Sequence, residues 1–247
     1  MQIEEFALGD SYVHRLDTRV KIVVALVFSI VAALNQSVQA ADAALIFPAV
    51  LVVAARISIK AVLYRLAVVN LFVAFLWFFL PFTVAGEVVY SFGPLEVSRE
   101  GLHQAALITL KCNAIVMAVI ALLGTSRVFT LVHALSHLGV PDKLVHLFFF
   151  SFRYIHVIHE EYHRLVNAMK IRGFKPGTNT HTYRTYAYLV GMLLVRSFDR
   201  AGRILAAMKC RGFKGKFYIL HHYEMKQSDY VLAASGVIVS GLLMVVR

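Results

Sequence analysis

Five apolar runs of about 15 to 25 residues, separated by short polar or basic stretches, leave this chain few ways to fold. A helix rises ~1.5 Å per residue, so ~20 apolar residues cross the ~30 Å hydrocarbon layer of a bilayer. The runs fall at Val20 to Leu34, Ala41 to Ala55, Leu66 to Val84, Leu102 to Leu123 and Tyr230 to Val246. Polar residues Asn35 to Gln39 split the first two into a helical hairpin, and Pro81 is expected to kink or end the third. The last run reaches only about 25 Å, which is marginal but adequate. With 59% hydrophobic residues and a mean hydropathy of +0.70, the chain exceeds the roughly 45 to 50% apolar usage of a soluble domain. The composition therefore predicts an α-helical membrane protein.

Charge supplies the orientation. Lys and Arg outnumber Asp and Glu by 25 to 14, a formal +11, and the excess is concentrated. Between Ser151 and Lys216 stand thirteen basic residues and three acidic ones. Because this block lies between spanning runs, the positive-inside rule assigns it to the cytoplasm, which leaves no nucleic acid among the expected partners. Arg15, Arg19 and Lys21 before the first span, and Arg56, Lys60 and Arg65 after the second, fall on the same side. Five spans with the N-terminus inside and the C-terminus outside satisfy all three clusters, although a further inserted element around Leu144 to Ile158 would change the count. Residues Gly86 to Gly101 read as an external loop, with Gly93-Pro94 as its turn. The opening, MQIEEFALGDSYVHRLDTR, does not read as a cleavable signal, and the first span is expected to serve as its own insertion signal.

The most informative feature is an internal repeat. Arg164 to Lys175 reads RLVNAMKIRGFK and Arg203 to Lys214 reads RILAAMKCRGFK, with eight of twelve positions identical at an offset of 39. Glu160 and Asp199 each sit four residues before Arg164 or Arg203, an acid-to-base spacing worth about 0.2 to 0.5 kcal/mol on a helix. Both copies are therefore read as helices. Gly173 and Gly212 suit the left-handed position after a helix end, and Lys170, Arg172, Lys209 and Arg211 complement the negative end of the helix dipole. A single such end would be an ordinary cationic cap. Two near-identical ones, with Ala168 and Ala207 keeping one side small, fit docking onto two similar subunits, where arginine grips carboxylates bidentately.

These residues resemble the transmembrane T component of energy-coupling factor importers, whose hallmark is a pair of Ala-x-x-x-Arg-Gly motifs on cytoplasmic coupling helices. Ser11 to Arg19, SYVHRLDTR, is similar to the family's His-x-x-Asp-x-Arg opening, and Gly139-Val140-Pro141 followed by Arg153 precedes the first motif. The opening is closest to the cobalt and nickel branch, the CbiQ and NikQ type. The implied fold class is all-α, a polytopic membrane protein with about five transmembrane helices and a cytoplasmic pair of coupling helices. The implied organisation is residues 1–127 as an N-terminal segment with four spans, 128–228 as a coupling domain, and 229–247 as the last span. The implied partners are two ATPase subunits, alike or different, a membrane substrate-binding S component, a small accessory membrane subunit in some systems, and the lipid bilayer of a prokaryotic cell membrane. ATP and Mg would bind the ATPases, with no cofactor on this chain, and the coupling residues would be Ala168, Lys170, Arg172, Gly173, Ala207, Lys209, Arg211 and Gly212.

Other features carry less. No Gly-x-x-x-x-Gly-Lys-[Ser/Thr] occurs, so ATP hydrolysis is expected elsewhere. His156, His159 and His163 share a helical face and His133 with His137 is spaced i,i+4, but neither set has a recognised ligand pattern, and no metal ligand is assigned. Lys111 in the middle of the fourth span needs a partner, for which Asn70 and Asn113 are candidates in type. Cys112 and Cys210 are not expected to pair. Two alternatives stay open: a T component serving a vitamin or other micronutrient, and an autonomous cation carrier using the histidines. An intramembrane enzyme has no supporting motif.

Overall fold

A computed structural model describes residues 9–92, 95–213 and 227–245. Among the described residues, eight α-helices follow a 3-10 turn at Val13–Arg15: α1 Thr18–Leu34, α2 Val38–Ala54, α3 Ile59–Thr83, α4 Arg99–Leu122, α5 Val128–His137, α6 Asp142–Ile171, α7 Thr180–Cys210 and α8 Gln227–Val245. Among the described residues the protein is all-α apart from one short hairpin of β1 (Val88–Phe92) and β2 (Leu95–Ser98), paired antiparallel from Val88 opposite Ser98 to Phe92 opposite Leu95. The stretch expected to be a plain loop thus folds back on itself. Its proposed turn at Gly93-Pro94 lies outside the described residues.

Side-chain caps start the helices where the sequence changes character. The carboxylate of Asp17 accepts from the Arg19 backbone N–H, and Ser37, Ser98 and Asn179 do the same for α2, α4 and α7. Helix α3 ends two residues past Pro81, whereas α2 continues for six residues past Pro48. All five expected spans are helices. Three of them, α3, α4 and α8, are long and apolar enough to cross a membrane on their own, while α1 and α2 have 17 residues each, about 25 Å.

The chain divides into two compact units, Met1–Leu138 with Tyr223–Arg247, and Gly139–His222. In the first, α1, α2, α4 and α8 pack around small residues. Ala40, Ala44, Ala114 and Ala118 are buried, letting α2 and α4 approach closely, and a Cβ on Gly236 of α8 would sit 2.6 Å from Val24 of α1. Helix α5 packs on α1 within the same unit.

Buried polar groups tie this unit together. Lys21 is fully buried and its Nζ donates to Ser126 Oγ at 3.1 Å and Thr125 Oγ1 at 3.4 Å. Asp17 pairs with Arg19 at 3.1 Å, and the Asp17 backbone N–H donates to Asp229 Oδ1 at 2.8 Å, joining the entrance of α1 to the start of α8. Lys111 finds its partner in the Ala33 carbonyl, 2.8 Å from Nζ, one of the carbonyls that the end of α1 leaves open. Asn70 and Asn113 do not serve it; they exchange two 3.0 Å hydrogen bonds with each other between α3 and α4.

Helix α2 closes with an unusual cap. Arg56 N–H donates to Val53 O and Ile57 N–H to Val52 O, the two bonds of a Schellman ending, which places Arg56 itself in the left-handed conformation at φ 51°. Among the described residues it is the one non-glycine with positive φ.

Candidate coupling site

The second unit consists of α6 and α7, helices of 30 and 31 residues joined by a short connection. The inserted element considered around Leu144 to Ile158 is the first half of α6, continuous with the helix that carries the first motif. Neither α6 nor α7 is apolar enough to cross a membrane unaided. Both are amphipathic, and their contact is built on one acid.

Glu161 is buried among three arginines. Arg196 donates to its Oε1, Arg164 stands 3.7 Å and Arg200 3.8 Å from its Oε2, and the hydrogen bond from Arg196, followed by the charges of Arg196, Arg164 and Arg200, holds its carboxyl below the usual glutamate range. Arg196 and Arg200 lie outside the repeat and one turn apart on α7, so they address the same carboxylate from one face. The pairing expected from sequence is different. Glu160 turns to His156, 3.4 Å away, and Arg164 bonds Glu161 at i,i+3 instead; no ion pair joins Asp199 to Arg203 among the described residues. The copies are helical as inferred, though not because of those pairs.

The two motif ends are built alike. At the first, Arg172 caps α6, Gly173 has φ 82°, the Gly173 N–H donates to Lys170 O at 3.0 Å and the Phe174 N–H to Met169 O at 3.1 Å. At the second, Arg211 caps α7, Gly212 has φ 80°, the Gly212 N–H donates to Lys209 O at 3.0 Å and the Phe213 N–H to Met208 O at 3.0 Å. These are two complete Schellman endings with glycine where a Cβ would be strained. Each leaves the same set on the outside: Ala168, Lys170, Arg172 and Gly173 are exposed, as are Ala207, Lys209, Arg211 and Gly212, while Met169, Met208, Phe174 and Phe213 are half-buried. Within a quartet the residues sit on one helix end. The structure does not bring the two quartets together.

They lie at opposite ends of an antiparallel pair. The Phe174 ring, just past the first end, meets Tyr186 near the beginning of α7 at 5.8 Å between centroids. Phe213, just past the second, shares a groove with Phe150 and Tyr154 of the first half of α6. Eleven residues separate Glu161 from Arg172 and eleven separate Arg200 from Arg211, so the ends stand on the order of 30 Å apart along the pair. The groove between the helices has a volume of about 340 Å³ and is lined mainly by apolar side chains, Val157, Ile158, Ile204, Leu205 and Met208 among them.

The Glu161 node and the groove were not singled out from sequence. The available signal was an acid inside a strongly basic block with two arginines one turn apart on the next helix, a pattern that does not by itself say which acid meets which base. The histidines show local pairing: His133 and His137 pack edge to face at 4.8 Å, and His159 and His163 at 4.4 Å. Among the described residues no group of three or more His, Cys, Asp or Glu side chains is disposed to hold a metal ion.

Comparison with known proteins bears on these ends. The model of the family described as CbiQ, cobalt transport protein, matches residues 9–219. The energy-coupling factor transporter transmembrane protein EcfT of Thermosediminibacter oceani is 26% identical, covering 98% of this chain and 95% of that protein. Proteins of the same name from Heliobacterium modesticaldum and Streptococcus thermophilus are 28% and 27% identical, covering 83% and 86% of this chain and 81% and 85% of theirs. The matched stretch contains both motif ends.

Proposed function

Because the chain belongs to the CbiQ cobalt transport protein family and is a transmembrane T component of an energy-coupling factor transporter, we propose that its two motif ends dock on two ATPase subunits. One ATPase receives Ala168, Lys170, Arg172 and Gly173, and the other receives Ala207, Lys209, Arg211 and Gly212. The observation that carries this reading is the duplication itself, since one exposed cationic set recurs on one cap geometry at two helix ends. A pair of like receptors is the simplest partner for a pair of like ends, and each arginine offers a planar fork to a carboxylate lining a groove.

In this reading the chain catalyses nothing. ATP and Mg bind the partner ATPases, hydrolysis there moves the helix ends, and α6 and α7 pass the movement to a membrane substrate-binding S component. The second unit lies on the cytoplasmic side of a prokaryotic cell membrane, where its basic excess favours it. Cobalt or nickel is the proposed cargo, supported by the description of the family; relatives named for energy coupling in general keep a vitamin cargo as the second reading.

Charge reversal tests the docking. With the ATPases and the S component coexpressed, Arg172→Glu with Arg211→Glu should abolish copurification of the ATPases and stop uptake, and each single change should weaken both. Intact assembly and uptake in the double variant would remove the proposal.

A further inference from the structure

We infer that His159 and His163 on α6 form a two-imidazole site for a divalent transition-metal ion. The two side chains stand i,i+4 on an exposed helix face, and their Nε2 atoms face each other at 3.0 Å with the rings 87° apart. As drawn together, the rings share one proton, one Nε2 donating and the other accepting. That separation is also a coordination chord. Two nitrogens about 2.1 Å from one ion stand ~3.0 Å apart when they subtend a right angle and ~3.4 Å apart at a tetrahedral angle. The observed distance therefore matches two adjacent positions of an octahedral or tetragonal ion. On binding, the donating ring carries its proton on Nδ1 instead, and both Nε2 lone pairs turn to the metal.

The surroundings decide the remaining ligands. His156, one turn earlier, points its Nε2 at Glu160 at 3.4 Å, and Glu161 is committed to its three arginines. No third described His, Cys, Asp or Glu completes the set, so water fills the open positions of an exposed site. Imidazole donors without carboxylates favour Cu²⁺ over Ni²⁺ over Co²⁺ and do not select Mg²⁺ or Ca²⁺. The site stands nine residues before Arg172, about 14 Å along α6, so a bound ion staples the turn leading to the first motif end. Nothing in this assignment requires the docking reading, since the ion binds the chain alone.

The test uses the full chain in detergent, purified without a polyhistidine tag and titrated with NiCl₂ by calorimetry. Wild type and H133A/H137A should show a saturable event that H159A/H163A and H159Q/H163Q weaken at least tenfold, with helicity unchanged. One equivalent of Cu²⁺ should give an electron paramagnetic resonance spectrum with coupling to two nitrogens. Absence of saturable Ni²⁺ binding, equal binding in the H159A/H163A and H159Q/H163Q variants, or its loss in H133A/H137A instead would overturn the site.

Discussion

The bundle unit and the α6–α7 unit are built from the same kind of element and held together in opposite ways. In the bundle, α4 buries eight of its 24 residues, half of them alanines. In the second unit, α6 buries two of 30 and α7 two of 31, and one of those four is the acid of the ionic node. Ile171 and Phe198 remain 87% and 81% exposed. Long amphipathic helices that bury so little of themselves draw their order from whatever covers them. Helix α4 is covered by packing within its own unit, whereas α6 and α7 leave most of their surface uncovered.

Four changes probe that contrast. The largest effect belongs to the bundle. Lys21→Met removes the cation beside Asp17 and Asp229 and should cost about 3 kcal/mol, as removal of one member of a buried charge set does; thermal unfolding in detergent should register it, while ATPase copurification by any protein that still folds stays normal. At the motif ends, Gly173→Val with Gly212→Val should each cost about 1 to 2 kcal/mol through left-handed strain alone, because a Cβ there meets nothing within 4 Å. Hydrogen exchange should rise at the last turns of α6 and α7 with the bundle unaffected. An effect confined to the bundle would break the contrast.

Arg56→Gly runs the other way. The α2 ending has the bonds of the two motif ends with arginine in the glycine position, so glycine should raise stability by about 1 kcal/mol. The smallest effect concerns the node. Glu161 has its carboxyl held low, so its contribution is complete above the unfolded value and fades as pH falls through the lower folded one. Below pH of about 4, hydrogen exchange in α6 and α7 should rise, and Glu161→Gln should remove that acid step while raising exchange at neutral pH.

The bundle was readable because bilayer thickness fixes run length, so Val20 to Leu34 or Leu102 to Leu123 could be placed within a few residues of α1 and α4. The motif ends were readable because a repeat is its own control: Gly173 and Gly212 could be placed past helix ends, and both are. Pairing was not readable. Glu160 and Glu161 are adjacent, and only the rotation of α6 against α7 decides which meets Arg196. In the same way the partner of Lys111 proved to be a backbone carbonyl, a group every residue has and no composition reveals. The hairpin over Val88 to Ser98 was missed because its neighbouring acids and glycines read as loop.

The position of Glu161 near the middle of its pair has a mechanical meaning. Arg172 and Arg211 hang on opposite arms of a beam whose fulcrum is one carboxylate. A rigid tilt of the pair about that point would lift one arm while lowering the other.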